Sequence, residues 1–290
     1  MELNARKPKV LLSVLISALS LASVALAVAN ASLWWALDSE SCPPSKFEGG
    51  TYYGQYYEDY ILAYAFAGTT RGTYIDVGAN HPIENNVTAY FYARGWRGIT
   101  IEPNPDFIPM YARLRPEDTN LAIGVGASDG SLTFHRVTER TNADTAGLST
   151  LDDAQARAWA LRGYQVVDRK VEIATLDNVL KKHPLGRISF LSIDVEGFEK
   201  QVLQGISLKV HKPEVVLLEA DAPMTEIPNY LQWEGILLRA GYVFAMFDGL
   251  NRYYVHRERL DLLPRFVHVD MCVKMSKLAH RIKLDGWTNF

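Results

Sequence analysis

A short β-type run, Thr73-Tyr74-Ile75, gives way to Asp76-Val77-Gly78-Ala79-Asn80, and this junction constrains the fold more than any other stretch of the chain. A buried strand ending in a small, glycine-bearing turn lets a ligand approach the backbone, because Gly78 presents no side chain. Asp76 at the strand tip and Asn80 in the turn can then hydrogen-bond a polar cofactor. One strand–helix–strand unit later, Gly98-Ile99-Thr100-Ile101 ends in Glu102-Pro103-Asn104-Pro105. An acid closing the second strand is where an open α/β sheet holds the two hydroxyls of a ribose. Pro103 stops the strand and leaves the Glu102 carboxylate at the sheet edge, free to make charge-assisted bonds. Together these features read as an adenosine-type cofactor site. The turn is not G-x-G-x-x-G, and no G-x-x-x-x-G-K-[ST] run occurs, which turns the expected cofactor from NAD or ATP towards S-adenosylmethionine.

The rest of the body repeats the same alternation. Apolar, β-rich runs are expected as strands at 74–77, 99–102, 121–125, 188–193 and 215–219, with helices at 52–67, 86–94, 107–114, 198–204 and 230–240. Continuous apolar strands are buried on both faces, which implies a mostly parallel sheet covered by helices. The predicted class is therefore α/β, a Rossmann-like doubly wound sheet. Asp248-Gly249-Leu250-Asn251 is a turn of the kind that joins antiparallel strands, and it lies between expected strands at 242–247 and 253–256. Residues 130–175 fit the alternation least. They carry a polar helix pattern at 153–162 that reads either as a cap over the ligand crevice or as a solvated connection.

A third cluster, Ser192-Ile193-Asp194-Val195-Glu196-Gly197-Phe198-Glu199, follows the expected strand at 188–193. Asp194 and Glu196 emerge at its carboxyl end, where ligands of open α/β sheets bind. Two acids flanking one residue point to the same side of an extended chain. Either one could orient the cofactor's ammonium or take a proton from a substrate hydroxyl, and both are assigned to the catalytic side. Glu199 reads as a helix-capping acid, and Glu219 and His81 as further candidates for the crevice wall. No His, Cys, Asp or Glu set has metal-ligand spacing, so no metal is expected; a magnesium-assisted mechanism through Asp194 is the alternative, with no motif that indicates it. The sequon Asn86-Val87-Thr88 sits beside the cofactor turn, and Asn30-Ala31-Ser32 lies in an apolar run; both read as coincidental.

The net charge of −3 argues against a nucleic-acid partner, which would select a basic surplus. Arg6, Lys7 and Lys9 precede an uncharged run from 10 to 37, long enough to cross a bilayer at ~1.5 Å per residue. Trp34 and Trp35 suit the interface, and Asp38 and Glu40 follow in water. The run reads as an uncleaved signal-anchor, with a cleaved signal peptide as the alternative, since Ala27-Val28-Ala29 and Ala29-Asn30-Ala31 are small-x-small sites. The basic flank favours a type II single-pass protein with its body in a Golgi-type or secretory lumen. Cys42 and Cys272 could form one bridge there. The expected organisation is a tail and anchor at 1–37, a stalk at 38–51, a catalytic domain at 52–256 and an extension at 257–290.

These motifs, taken in order, resemble the FkbM family of methyltransferases. The matching stretches are Gly54-Gln55-Tyr56-Tyr57-Glu58-Asp59, Tyr74-Ile75-Asp76-Val77-Gly78-Ala79-Asn80, Gly95-Trp96-Arg97-Gly98 and Ile101-Glu102-Pro103-Asn104-Pro105. They continue with Leu148-Ser149-Thr150-Leu151-Asp152, Thr175-Leu176-Asp177, Ile193-Asp194-Val195-Glu196-Gly197 and Asp248-Gly249-Leu250-Asn251-Arg252-Tyr253-Tyr254. The resemblance implies S-adenosylmethionine as methyl donor and O-methylation of a small-molecule or glycan hydroxyl. It carries Asp76, Gly78, Asn80 and Glu102 over to the cofactor site, with Asp129 as an adenine contact, and Asp194 and Glu196 to the catalytic side. A nucleotide-sugar enzyme or an inactive cofactor-binding module on a similar fold is the alternative.

Overall fold

The computed structural model describes residues 52–138, 146–223, 225 and 227–270. The expected anchor, the stalk and both cysteines lie outside the described residues. Among the described residues no helix is long and apolar enough to cross a membrane. The chain divides into two compact units, of which the one running from Phe47 to Leu262 carries everything discussed below.

That unit is built on a seven-stranded sheet. In chain order its strands are β1 (Thr73–Val77), β2 (Arg97–Ile101), β3 (Thr119–Leu121), β7 (Phe190–Ile193), β8 (Val215–Glu219), β9 (Tyr242–Phe247) and β10 (Asn251–His256). Across the sheet they run β3-β2-β1-β7-β8-β10-β9. All neighbouring pairs are parallel except those made by β10, which runs against both β8 and β9. The expected mostly parallel sheet and its terminal antiparallel hairpin are thus both present. β1 lies next to the middle strand β7, and the chain winds from β1 to β2 and β3 on one side and later to β7 and β8 on the other. The order reverses between β1 and β7, and a crevice opens at such a reversal beyond the strands' carboxyl ends.

Burial explains why these runs form strands. Ile75, Ile99, Leu191, Val216 and Leu218 are fully buried and pack with Val202 and Leu203 of the helix Glu199–Gln204 and Leu237 of the helix Glu234–Ala240. Each such side chain contributes about 1.5–3 kcal/mol on leaving water. On the other face, Phe190 meets Phe66, Phe91 and Trp96 with ring centroids 4.9–6.4 Å apart.

Two sequence expectations change. The run at 121–125 is not one strand. β3 ends at Leu121, and β4 (Gly124–Val125) joins a second, three-stranded sheet with β5 (Gly130–Thr138) and β6 (Gln165–Ala174), in the order β4-β6-β5. Gly124 permits the switch, because a Cβ there would stand 2.6 Å from Ile173 and 2.9 Å from Leu151. The antiparallel pair β5–β6 was not expected at all, although it pairs nine residues on each strand. The polar helix is present as Asp153–Leu161, with Asp152 accepting from the Gln155 amide at its start.

Candidate active site

A cavity of about 350 Å³ lies beyond the carboxyl ends of β1, β2 and β7. Its wall includes Gly78, Asn80, Glu102, Asp194 and Glu196, so five of the residues singled out from sequence meet at one place. Phe107, Ile123 and Val125 form an apolar stretch of the wall, and Phe134, Ser149, Thr150 and Leu151 of the 130–175 insertion close another side. The insertion therefore does border the crevice, while much of the helix Asp153–Leu161 stays exposed.

The β1 turn is shaped by close packing of backbone. Gly78 has φ +80°, and its amide donates to the Ile101 carbonyl at 2.9 Å. A Cβ at Gly78 would stand 1.7 Å from the carbonyl oxygen of Asp194. The missing side chain thus makes room for the neighbouring strand end, where the sequence had suggested room for a ligand. Asn80 follows with φ +50°, a left-handed conformation that asparagine tolerates. Its amide donates to Glu102 Oε2 at 2.8 Å, and the Asn104 amide donates to Glu102 Oε1 at 2.7 Å. The Glu102 carboxylate is thereby fixed at the cavity wall. Burial nevertheless pushes its pKa up to about 7, against the pull of these two amides.

Asp76 is not in the wall. Its carboxylate turns beneath the cavity and accepts from Thr88 Oγ1 at 2.8 Å. Thr88 Oγ1 in turn accepts from Arg115, which also binds Asp118, Asn86 and the Tyr74 hydroxyl. The physical reason is strand alternation: Ile75 and Val77 face the main core, so Asp76 points the other way. Asn86 is buried in the same network, which leaves the Asn86-Val87-Thr88 sequon inaccessible. Asp129 is also elsewhere. It accepts from the Thr175 amide at 2.8 Å and from the Asn178 side-chain amide at 2.5 Å, holding the start of the helix Leu176–Lys182 on the exposed surface. Asp129, expected as an adenine contact, is not among the residues that line the cavity.

The acid-rich turn after β7 is tightly held. Asp194 donates its amide to the Val77 carbonyl at 3.0 Å, and Glu196 and Gly197 take successive positive φ values of +53° and +101°. Thr150 Oγ1 donates to the Glu196 carbonyl at 2.9 Å, tying the insertion to this turn. Asp194 is open to the cavity but set deep within the protein's envelope. That desolvation, with the nearby Asp76 charge, raises it to about 6. Glu196 is raised well above the ordinary range by burial and then by Asp194 and Glu199. Glu199 reaches back to the Gly197 amide at 3.0 Å and accepts from Asn229, so its part is to cap the turn, as expected. His81 lies in the wall, and its Nδ1 accepts from the amides of Ile83 and Glu84.

The methyltransferase FkbM domain family matches residues 76–244, more than half of the 290-residue chain and all of the crevice wall except Gln55. The chain belongs to the FkbM methyltransferase family. Among curated proteins none matches it. Family membership makes this protein a methyltransferase, and the matched span runs from the Asp76 turn into β9, so the FkbM domain contains both the Glu102 wall and the Asp194–Glu196 turn. Phe107, Ile123 and Phe134 were not anticipated as wall residues of this FkbM domain. Phe107 opens an amphipathic helix and Phe134 sits in a short alternating run, signals that locate a core residue without telling which core.

Proposed function

We propose that this FkbM methyltransferase uses S-adenosylmethionine and methylates a hydroxyl of a sugar or glycoconjugate. The observation that supports this best is that Glu102 and the pair Asp194–Glu196 open onto one cavity from the ends of β2 and β7, the strands on either side of β1. The residues present suit the cofactor. Each Glu102 oxygen accepts one backbone amide and has a further lone pair for a ribose hydroxyl. Phe107, Ile123 and Val125 offer a purine an apolar surface, and the acids of the β7 turn complement a cationic sulfonium or ammonium group. When bound, the cofactor supplies an electrophilic methyl group.

The chain's own residues then have to hold the acceptor and manage its proton. Asp194 or Glu196 accepts a hydrogen bond from the acceptor hydroxyl and takes its proton at a carboxylate oxygen. A base raised towards neutrality, as Asp194 is, works best near its own pKa. Thr150 holds the Glu196 backbone and so sets where that carboxylate points. The polar wall groups Gln55, Asn80, Ser149 and Thr150 suit an acceptor with several hydroxyls. We read residues 10–37 as the anchor that places this domain at a membrane.

Equilibrium dialysis of the full-length chain with radiolabelled S-adenosylmethionine tests the cofactor reading. Saturable binding that Glu102→Gln weakens at least ten-fold is expected. A folded wild-type chain that retains no label at millimolar cofactor sinks it. Label transfer to members of a glycan panel then identifies the acceptor class.

A further inference from the structure

Glu219 closes β8, one register position beyond the pair Ile193–Leu218, so it stands beside Asp194 at the rim of the sheet. It is only 6% exposed, and its Oε2 has no hydrogen-bond partner. The charges that bear most strongly on it are all acidic: Asp194, Glu196, Glu199 and Asp221. Oε2 of Glu196 is likewise buried without a partner. Asp194, Glu196 and Glu219 each bring a carboxylate oxygen to within 4.8 Å of the other two. An isolated buried carboxylate is costly unless something positive or a proton meets it. The other buried acids nearby have partners: Asp76 has Thr88, and Glu199 has Gly197 and Asn229.

We propose that Asp194, Glu196 and Glu219 form a binding site for a divalent cation of the magnesium or manganese type. An all-carboxylate donor set favours hard cations, whereas zinc would draw on histidine or cysteine. Neighbouring oxygens on an octahedral magnesium ion stand about 3 Å apart and opposite ones about 4 Å, so carboxylates within 4.8 Å of one another close by up to about 2 Å to share the ion. Asp194 and Glu196 also line the cavity, which leaves the ion's remaining positions facing the place where an acceptor would sit. An acceptor hydroxyl bound there becomes more acidic, which eases the proton transfer proposed above. This catalytic use rests on the methyltransferase reading of the cavity; the cation site itself does not.

The probe is Mn²⁺, titrated into the EDTA-stripped and dialysed full-length chain and followed by the electron paramagnetic resonance of the free ion. One Mn²⁺ bound per chain and displaced by Mg²⁺ is expected, with affinity at least ten-fold weaker in both Glu219→Gln and Asp194→Asn. Thermal unfolding of both variants in EDTA checks that they are folded. No saturable Mn²⁺ binding by the wild type overturns the proposal, as does equal affinity in both folded variants. If the wild type takes up no Mn²⁺ and Glu219→Gln raises the melting temperature, a proton alone neutralises the cluster and the proposal is again overturned. Dialysis with S-adenosylmethionine in EDTA separates the two readings. Cofactor retained without Mn²⁺ uptake removes only the cation, and Mn²⁺ uptake without cofactor removes only the cofactor assignment.

Discussion

Two groups of acids, one against a face of the sheet and one at its carboxyl rim, are treated in opposite ways. Beneath β1, Asp76 and Asp118 share one fully buried guanidinium. Arg115 binds Asp118 through both Nε and Nη2 at 2.8–3.0 Å and reaches Asp76 through Thr88. Asp118 also accepts from the Tyr74 hydroxyl and the Gly98 amide. Above β7 and β8, Asp194, Glu196 and Glu219 crowd together with two unpartnered oxygens among them. The first group is satisfied within the chain and supports the platform. The second is left unbalanced where it meets the cavity, and burial of unbalanced charge at a crevice is a mark of a working site.

Removing one charge from each group is the strongest way to break that comparison. Arg115→Met strands Asp118 and Asp76 and is expected to lose about 3–5 kcal/mol of stability, read from urea unfolding. Asp194→Asn is expected to lower methyl transfer by about 10²–10⁴-fold while leaving the urea midpoint unchanged or higher. A stable Arg115→Met chain, or a fully active Asp194→Asn enzyme, would erase the distinction.

A weaker effect comes with pH. Glu58 and Glu102 are both raised to about 7, chiefly by burial, from an ordinary value of 4.5. The folded chain therefore holds their protons more tightly than the unfolded chain does. Their contribution is present at low pH and is lost as pH rises from about 4.5 through about 7. His135 acts in the same direction. Burial draws its pKa down, but hydrogen bonds at 2.7 Å to Asp168 and 2.8 Å to Asp153 raise it overall. Its stabilisation is complete below about 6.5 and fades as pH passes its folded value. In EDTA, the urea midpoint is expected to fall between pH 5 and pH 7.5. A midpoint that climbs over this interval contradicts the burial argument for these groups.

The smallest expected effect belongs to Asp129. Asp129→Ala removes an exposed helix cap, so a slightly lower melting temperature with cofactor affinity unchanged within two-fold is expected. A ten-fold loss of S-adenosylmethionine affinity would return Asp129 to the cofactor site.

How much of this was legible in the sequence follows from the range of the interactions involved. The strands at Thr73–Val77, Phe190–Ile193 and Val215–Glu219 stand out because burial on both faces selects largely apolar runs. Glu102 and Asp194 could be placed because each follows such a run directly. The β5–β6 pair escaped notice because much of it is exposed, and its alternation is blurred by Asp168, Arg169 and Lys170.

The order of apolar runs and turns alone determined an α/β sheet with acids at its carboxyl rim, since strand burial and chain direction are local consequences of residue type. Only the folded chain decided which acids come together. Asp76 turned downward to Thr88 and Arg115, Asp129 became a cap, and Glu219 joined Asp194 and Glu196 from a strand later in the chain. Those outcomes depend on side-chain direction and strand order across the sheet, which link residues distant in sequence and leave no local pattern to read.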